Sequence, residues 1–162
     1  MPEAERYIGH YRQRFDPPAR RNVPAHVTVL YPFMEPSAVD SAVLECLDGI
    51  AVSVARFDYC LRDIRRFPSS LYLAPEPDRS FAELTNGVHR AYPEFPPFAG
   101  KFAVVVPHVT VAHGDEPQLC EIEVELRIAL PAAGIRAHCA EMVLIENTTG
   151  RWEVLRTFAL GT

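Results

Sequence analysis

The sequence predicts a single domain of mixed helices and strands, built from one duplicated unit of about 80 residues. Three observations carry this. The tetrapeptide His-Val-Thr-Val is written twice, at His26 and at His108, separated by close to half of the 162-residue chain. Around each copy the patterns recur in one order: a Pro-Glu start, a helix, a loop, the motif strand, a second helix and an extended pair. There are only two copies, so the repeat is not a solenoid. The first repeat covers about residues 1–68 and the second about residues 69–162 of one domain, and exchange of strands between the two lobes is left open.

Prolines and turn residues divide the chain. Pro2 to Phe15 reads as a helix, with Pro2 in the first turn and acidic Glu3 and Glu5 beside it. After the loop "DPPARRNVP", "AHVTVLYPF" reads as a strand rich in Val and Thr. "EPSAVDSAVLECLDGI" predicts a helix capped near Ser37, with Val39, Val43, Leu44 and Leu47 along one face. "SVARFDYCLRDIRRF" is extended and alternating, and "SSLYLAP" is a short strand. "DRSFAELTNGVHRAY" carries Phe81, Leu84, Val88 and Tyr92 on one helical stripe. "FAVVVPHVTVAHG" is the second motif strand, and "EPQLCEIEVELRIALP" is a fourth helix. "IRAHCAEMVLIENTTGRWEVLRTFALG" reads as a β-hairpin turning at Asn147 to Gly150.

The repeat is asymmetric at its start. A strand at Leu71 to Ala74 leads into Pro-Glu-Pro and the next helix, whereas Met1-Pro2 opens the first copy directly. An unpaired sheet edge invites another chain. The expectations are a dimer through the edge of the first lobe, a monomer whose first lobe carries one strand fewer, or a gene product that starts further upstream.

Composition excludes several classes. No apolar run approaches the roughly 18 residues of a membrane span. The N-terminus lacks a basic segment followed by an apolar stretch, so the expectation is a cytoplasmic protein without a secretory signal. Cys46, Cys60, Cys120 and Cys139 are scattered without a C-x-x-C pair, which suggests neither a zinc site nor a redox motif. A net charge of −5 and a single lysine, Lys101, argue against a long nucleic-acid surface. A small anionic ligand remains compatible, because a few arginine forks suffice to bind phosphate.

In a strand, residues i and i+2 point to one face. His26 and Thr28 then share a face, as do His108 and Thr110, while Val27, Val29, Val109 and Val111 form the apolar face. If a pseudo-two-fold axis relates the halves, the two pairs converge on one cleft. Two histidines and two threonines suit phosphodiester chemistry. A neutral imidazole takes a proton from the attacking hydroxyl, and an imidazolium gives one to the leaving oxygen. The threonine hydroxyls can donate to the non-bridging phosphate oxygens. No carboxylate cluster accompanies the motifs, so neither a metal nor a cofactor is expected.

The doubled His-x-Thr-x motif, with "YPF" after the first copy, resembles the 2H phosphoesterase superfamily, and within it the 2'-5' RNA ligase and cyclic phosphodiesterase-like proteins. The likeness extends over essentially the whole chain, to the terminal "RWEVLRTFALG". The resemblance implies a bilobal α+β fold with pseudo-two-fold symmetry, in which mostly antiparallel sheets line a central cleft and helices lie outside. It implies His26, His108, Thr28 and Thr110 as catalytic residues, acting on a 2',3'-cyclic phosphate or 2'-5' linkage of a nucleotide or short RNA. The family usually begins with a strand before the first helix, which is absent here.

Other residues have plainer readings. His113 faces away from Thr110, and His10, His89 and His138 lack a partner in the other repeat. Arg62, Arg65 and Arg66 read as a solvated strand edge, with Arg66 as a candidate phosphate contact. Tyr31 and Phe33 are candidate base-stacking residues, and core packing explains them equally well. Two function classes follow: an enzyme that cleaves a phosphodiester or runs the reverse ligation, and a non-catalytic module that binds a nucleotide or RNA end. Both histidines are intact, which favours the enzyme.

Overall fold

The computed structural model describes residues 1–162. Its elements are α1 (Pro2–Phe15), α2 (Pro17–Arg20), α3 (Ser41–Val52), β1 (Phe57–Phe67), β2 (Ser70–Glu76), α4 (Arg79–Ala91), β3 (Val109–His113), α5 (Glu116–Ala129), β4 (Ile135–Cys139), β5 (Glu141–Glu146) and β6 (Glu153–Ala159). The fold is α+β. One sheet has the order β3-β2-β1-β4, and β5 and β6 form a separate two-stranded sheet. The β1–β2, β2–β3 and β5–β6 pairs are antiparallel. Neither α1 nor any other helix is long and apolar enough to cross a membrane.

The chain divides into two compact units, each drawing on both halves of the sequence. The first comprises Met1–Val27, Asp58–Pro77 and His108–Ala137. Here α1 packs on β3 and α5, and α5 reaches β2. Ile8, Leu61, Leu71, Leu73, Val109, Val111, Leu119 and Leu126 are fully buried and form its interior. The second comprises Thr28–Phe57, Asp78–Pro107 and His138–Thr162, with α3 packed against β6 and α4. Its core is Leu47, Ala51, Val54, Leu84, Val88, Met142, Phe158 and Leu160.

Most elements form where local chemistry places them. Pro2 opens α1, Glu3 and Glu5 sit at the positive end of its dipole, and Arg12 and Arg14 at the negative end. The Phe81–Leu84–Val88 stripe of α4 is buried. Asp115 caps α5, its carboxylate accepting from the Gln118 N–H at 3.0 Å. The strand expected ahead of α4 is β2, and the expected turn joins β5 to β6 with Gly150 at positive φ.

Five expectations are corrected. The loop expected after α1 contains the short helix α2, which Pro17 and Pro18 open directly after Asp16. The helix expected from Ser37 begins at Ser41, because Asp40 provides the cap: its carboxylate accepts from the Val43 N–H at 2.9 Å. The second motif strand starts at Val109 rather than Phe102. The C-terminal segment is not one hairpin; β4 joins the larger sheet, and only β5 pairs with β6. The first motif, Ala25 to Phe33, forms no strand. Its polar backbone groups are satisfied elsewhere. The Ala25 N–H donates to Glu5, the Ala25 carbonyl accepts from the Met1 amino group, and the Tyr31 carbonyl accepts from the Phe98 N–H. Pro24 and Pro32 have no N–H to offer a ladder.

Candidate active site

His26 is the penultimate residue of the first segment of the first unit. It is half-buried, and its Nδ1 lies 2.8 Å from the Pro24 carbonyl oxygen. A carbonyl only accepts, so Nδ1 carries the hydrogen, and in the neutral ring the lone pair belongs to Nε2. Burial pushes the imidazole below its ordinary pKa, and the hydrogen bond to Pro24 opposes this. Arg12 and His108 lower it further, while Asp16 raises it. His26 is therefore neutral at a pH where an ordinary histidine begins to charge.

The charges around it come from α1 and its C-cap residue. Arg12 is 1% exposed and Asp16 2% exposed. The Arg12 Nε and Nη2 donate to Asp16 Oδ2 at 3.1 and 2.8 Å, and Nη1 donates to Glu5 Oε1 at 2.9 Å. His113 Nε2 lies 3.7 Å from Asp16 Oδ1, which gives this exposed histidine a structural neighbour in the same network.

His108 stands one residue before β3 and meets a different environment. Its ring is edge-on to Phe67, with centroids 5.1 Å apart, and tilted against Tyr72 at 5.4 Å. Phe67 and Tyr72 stack on each other at 4.3 Å. Thr110 lies opposite Tyr72 in the β2–β3 ladder and is half-buried between fully buried Val109 and Val111. The alternation expected from the sequence thus holds around Thr110. It fails around Thr28, where Val27, Thr28 and Val29 are all half-buried because no ladder sets the faces. Thr28 opens the second unit.

The profile of the 2'-5' RNA ligase superfamily matches residues 1–151. The chain belongs to this superfamily of 2H phosphoesterases. Membership carries a phosphoesterase- or ligase-type activity. No curated protein matches the sequence. Among solved structures, Escherichia coli LigT complexed with 3'-AMP aligns at TM-score 0.62 and 18% identity, over 99% of this chain and 92% of that one. TT0787 of Thermus thermophilus aligns at TM-score 0.60 and 18% identity, over 99% and 93%. A structure described as a phosphoesterase aligns at TM-score 0.58 and 19% identity, over 99% and 93%. LigT has also been crystallised with NADP+ and with ATP.

The remaining candidate residues in this superfamily member are engaged to different degrees. Arg66 donates to Glu123 at 2.6 Å and to Glu116 at 2.5 Å, so its guanidinium is committed to α5. Phe33 packs edge-on to Tyr92 and Phe95 at 5.3 Å each, against the core of the second unit. Tyr31 is 54% exposed, three residues beyond Thr28, with the Trp152 ring edge-on at 6.2 Å.

Sequence reasoning missed Glu5, Arg12 and Asp16. A signal was present. Ala4, Ile8, Arg12 and Asp16 are spaced four apart, which puts the arginine on the apolar stripe of α1 and the aspartate in line with it at the helix C-cap.

Proposed function

We propose that the chain is a metal-independent phosphoesterase acting on a 2',3'-cyclic phosphate or 2'-5' phosphodiester of a nucleotide or short RNA end. The observation that carries the reading is the geometry of His26: its Nδ1 lies 2.8 Å from the Pro24 carbonyl oxygen, which leaves the lone pair of the neutral ring on Nε2, and burial, with Arg12 and then His108, favours that neutral form. Two titratable groups whose settings differ divide the acid and base roles.

His26 is the base. Its Nε2 removes a proton from a water attacking the phosphorus of the cyclic ester. As the new P–O bond forms, the bond to one ribose oxygen breaks, and His108 as imidazolium protonates that oxygen. The product is a phosphomonoester with a free neighbouring hydroxyl, and each histidine ends in the state the other began in. With the 5'-hydroxyl of a second strand in place of the water, the same proton transfers open the cyclic ester to a 2'-5' linkage, and the reverse of that step cleaves the linkage back to the cyclic phosphate and a free 5'-hydroxyl. Thr28 and Thr110 donate hydrogen bonds to the non-bridging oxygens, where charge grows in the transition state. Tyr31, with Trp152 beside it, offers a face on which a base can stack. The bound nucleotides of LigT support this ligand class.

The test is turnover of a panel of 2',3'-cyclic nucleotides, 2'-5' dinucleotides and ADP-ribose cyclic phosphate in excess EDTA. Conversion of at least one to the expected monoester supports the reading. Nucleotide binding without turnover of any would replace it with a binding module.

A further inference from the structure

The Ala25 N–H that Glu5 accepts and the Pro24 carbonyl that His26 engages belong to one peptide group. A line of hydrogen bonds therefore runs from the imidazole through that peptide to a carboxylate. We propose that Glu5 is a positioning residue for His26, acting through the Pro24–Ala25 peptide, and that the buried Arg12–Asp16 pair holds the Glu5 carboxylate in place.

Each link has its own evidence. Ala25 is 1% exposed, so its N–H needs a partner inside the protein, and Glu5 Oε1 is that partner. The same oxygen accepts from Arg12 Nη1 at 2.9 Å, which fixes it on both sides. Arg12 is anchored in turn by two donations to Asp16 Oδ2. A carboxylate on the N–H side of a peptide polarises it and makes its carbonyl a better acceptor. The Pro24 carbonyl then holds the hydrogen on Nδ1 more firmly and keeps the lone pair on Nε2. A carboxylate that contacts a catalytic imidazole directly orients the ring and selects its tautomer. Here one peptide plane stands between the two groups. The charged groups around His26 are Arg12, Asp16 and His108, with Glu5 and His113 one contact further out.

Glu5 suits a test because its side chain is 34% exposed and its loss leaves Arg12 paired with Asp16. The proposal rests on the reading of His26 as the base, so one measurement must not need turnover. Nitrogen-15 NMR of the histidine rings provides it. In the unaltered protein near pH 8, His26 should be almost wholly the Nδ1–H tautomer. Glu5→Ala should introduce a clear fraction of the Nε2–H form, and Glu5→Gln should recover most of the original state, since an amide oxygen still accepts from Ala25. In the activity arm, Glu5→Ala should lower kcat by on the order of 10- to 100-fold with KM within about twofold, the signature of a displaced base. A Glu5→Ala protein that melts like its parent and keeps the parent tautomer overturns the proposal, whatever its activity. If Glu5→Ala does not fold, Glu5→Leu, which fills the space but accepts no hydrogen bond from Ala25, takes its place: a clear fraction of the Nε2–H form supports the proposal and the parent tautomer overturns it. If no phosphodiester is turned over even by the parent, the function reading fails while the tautomer measurement still judges the peptide link.

Discussion

The two copies of His-Val-Thr-Val share a spelling and differ in almost everything around it. His108 is held by aromatic rings, Phe67 and Tyr72, at the mouth of a regular strand. His26 lies in irregular chain, held by a peptide carbonyl and near the buried charges of Arg12 and Asp16. The lesson is that a duplicated motif does not duplicate an environment. Backbone pairing fixes Thr110 and begins one residue after His108, whose ring rests against Phe67 and Tyr72, whereas the His26 ring is tied to the Pro24 carbonyl in chain that forms no ladder. The functional reading turns this difference into a division of labour.

The harshest way to break the comparison is to delete each imidazole. His26→Ala and His108→Ala should each lower kcat/KM for a 2',3'-cyclic nucleotide by on the order of 10²–10⁴-fold. If one variant keeps near-parental turnover, that histidine is structural and the pairing fails.

Next come the hydroxyls. Thr28→Val and Thr110→Val should cost roughly 10- to 100-fold each, the scale of one hydrogen bond to a charged group. Phosphate inhibition should weaken in parallel with the loss of rate. An unchanged inhibition constant in both variants would remove the threonines from the phosphate site.

The pH dependence sharpens the assignment of roles. His26 must be neutral to act as base and its pKa is lowered, so activity should persist on the acidic side and fall only as pH drops through that lowered value. Loss of the His108 proton then sets the alkaline limb. A profile whose acidic limb is unmoved in His26→Ala and removed in His108→Ala would exchange the roles. Stability follows the same sign. A histidine depressed in the folded state favours folding above its unfolded pKa, and that contribution disappears as pH falls through the folded one. Urea midpoints between pH 7 and 5 should therefore fall less in a folded His26→Gln variant than in the parent.

The mildest change is at the aromatic seat. Phe67→Leu keeps an apolar neighbour but removes the edge-on contact to His108, a contact worth about 0.5–1.5 kcal/mol. The expected result is a drop of several degrees or less in Tm and a small shift of the alkaline limb, with the acidic limb untouched. A shift of the acidic limb instead would show that the two sites are not separately built.

Local pattern made much of this protein legible. The stripe of α4, the Pro2 start of α1, the run of β2 and the turn before Gly150 are decided by residues a few positions apart, and those elements formed as expected. Where the reading failed, the deciding partner was remote. "AHVTVLYPF" has the composition of a strand, but a strand needs a ladder, and its polar groups found Glu5, Met1 and Phe98 instead. β4 and β5 read as one ribbon because nothing in their composition says that they pair in different sheets.

By itself, the sequence determined the α+β class, the two histidines and two threonines in matched positions, and the family to which the chain belongs. Side-chain type and short-range spacing are enough for that. Only the tertiary structure decided that Arg12 and Asp16 are buried as a pair, that one peptide joins Glu5 to His26, and that His108 rests among aromatic rings. Those outcomes depend on which distant groups meet when the chain closes. A hydrogen bond between residues 20 positions apart, such as Ala25 to Glu5, leaves no period in the sequence from which it could be read.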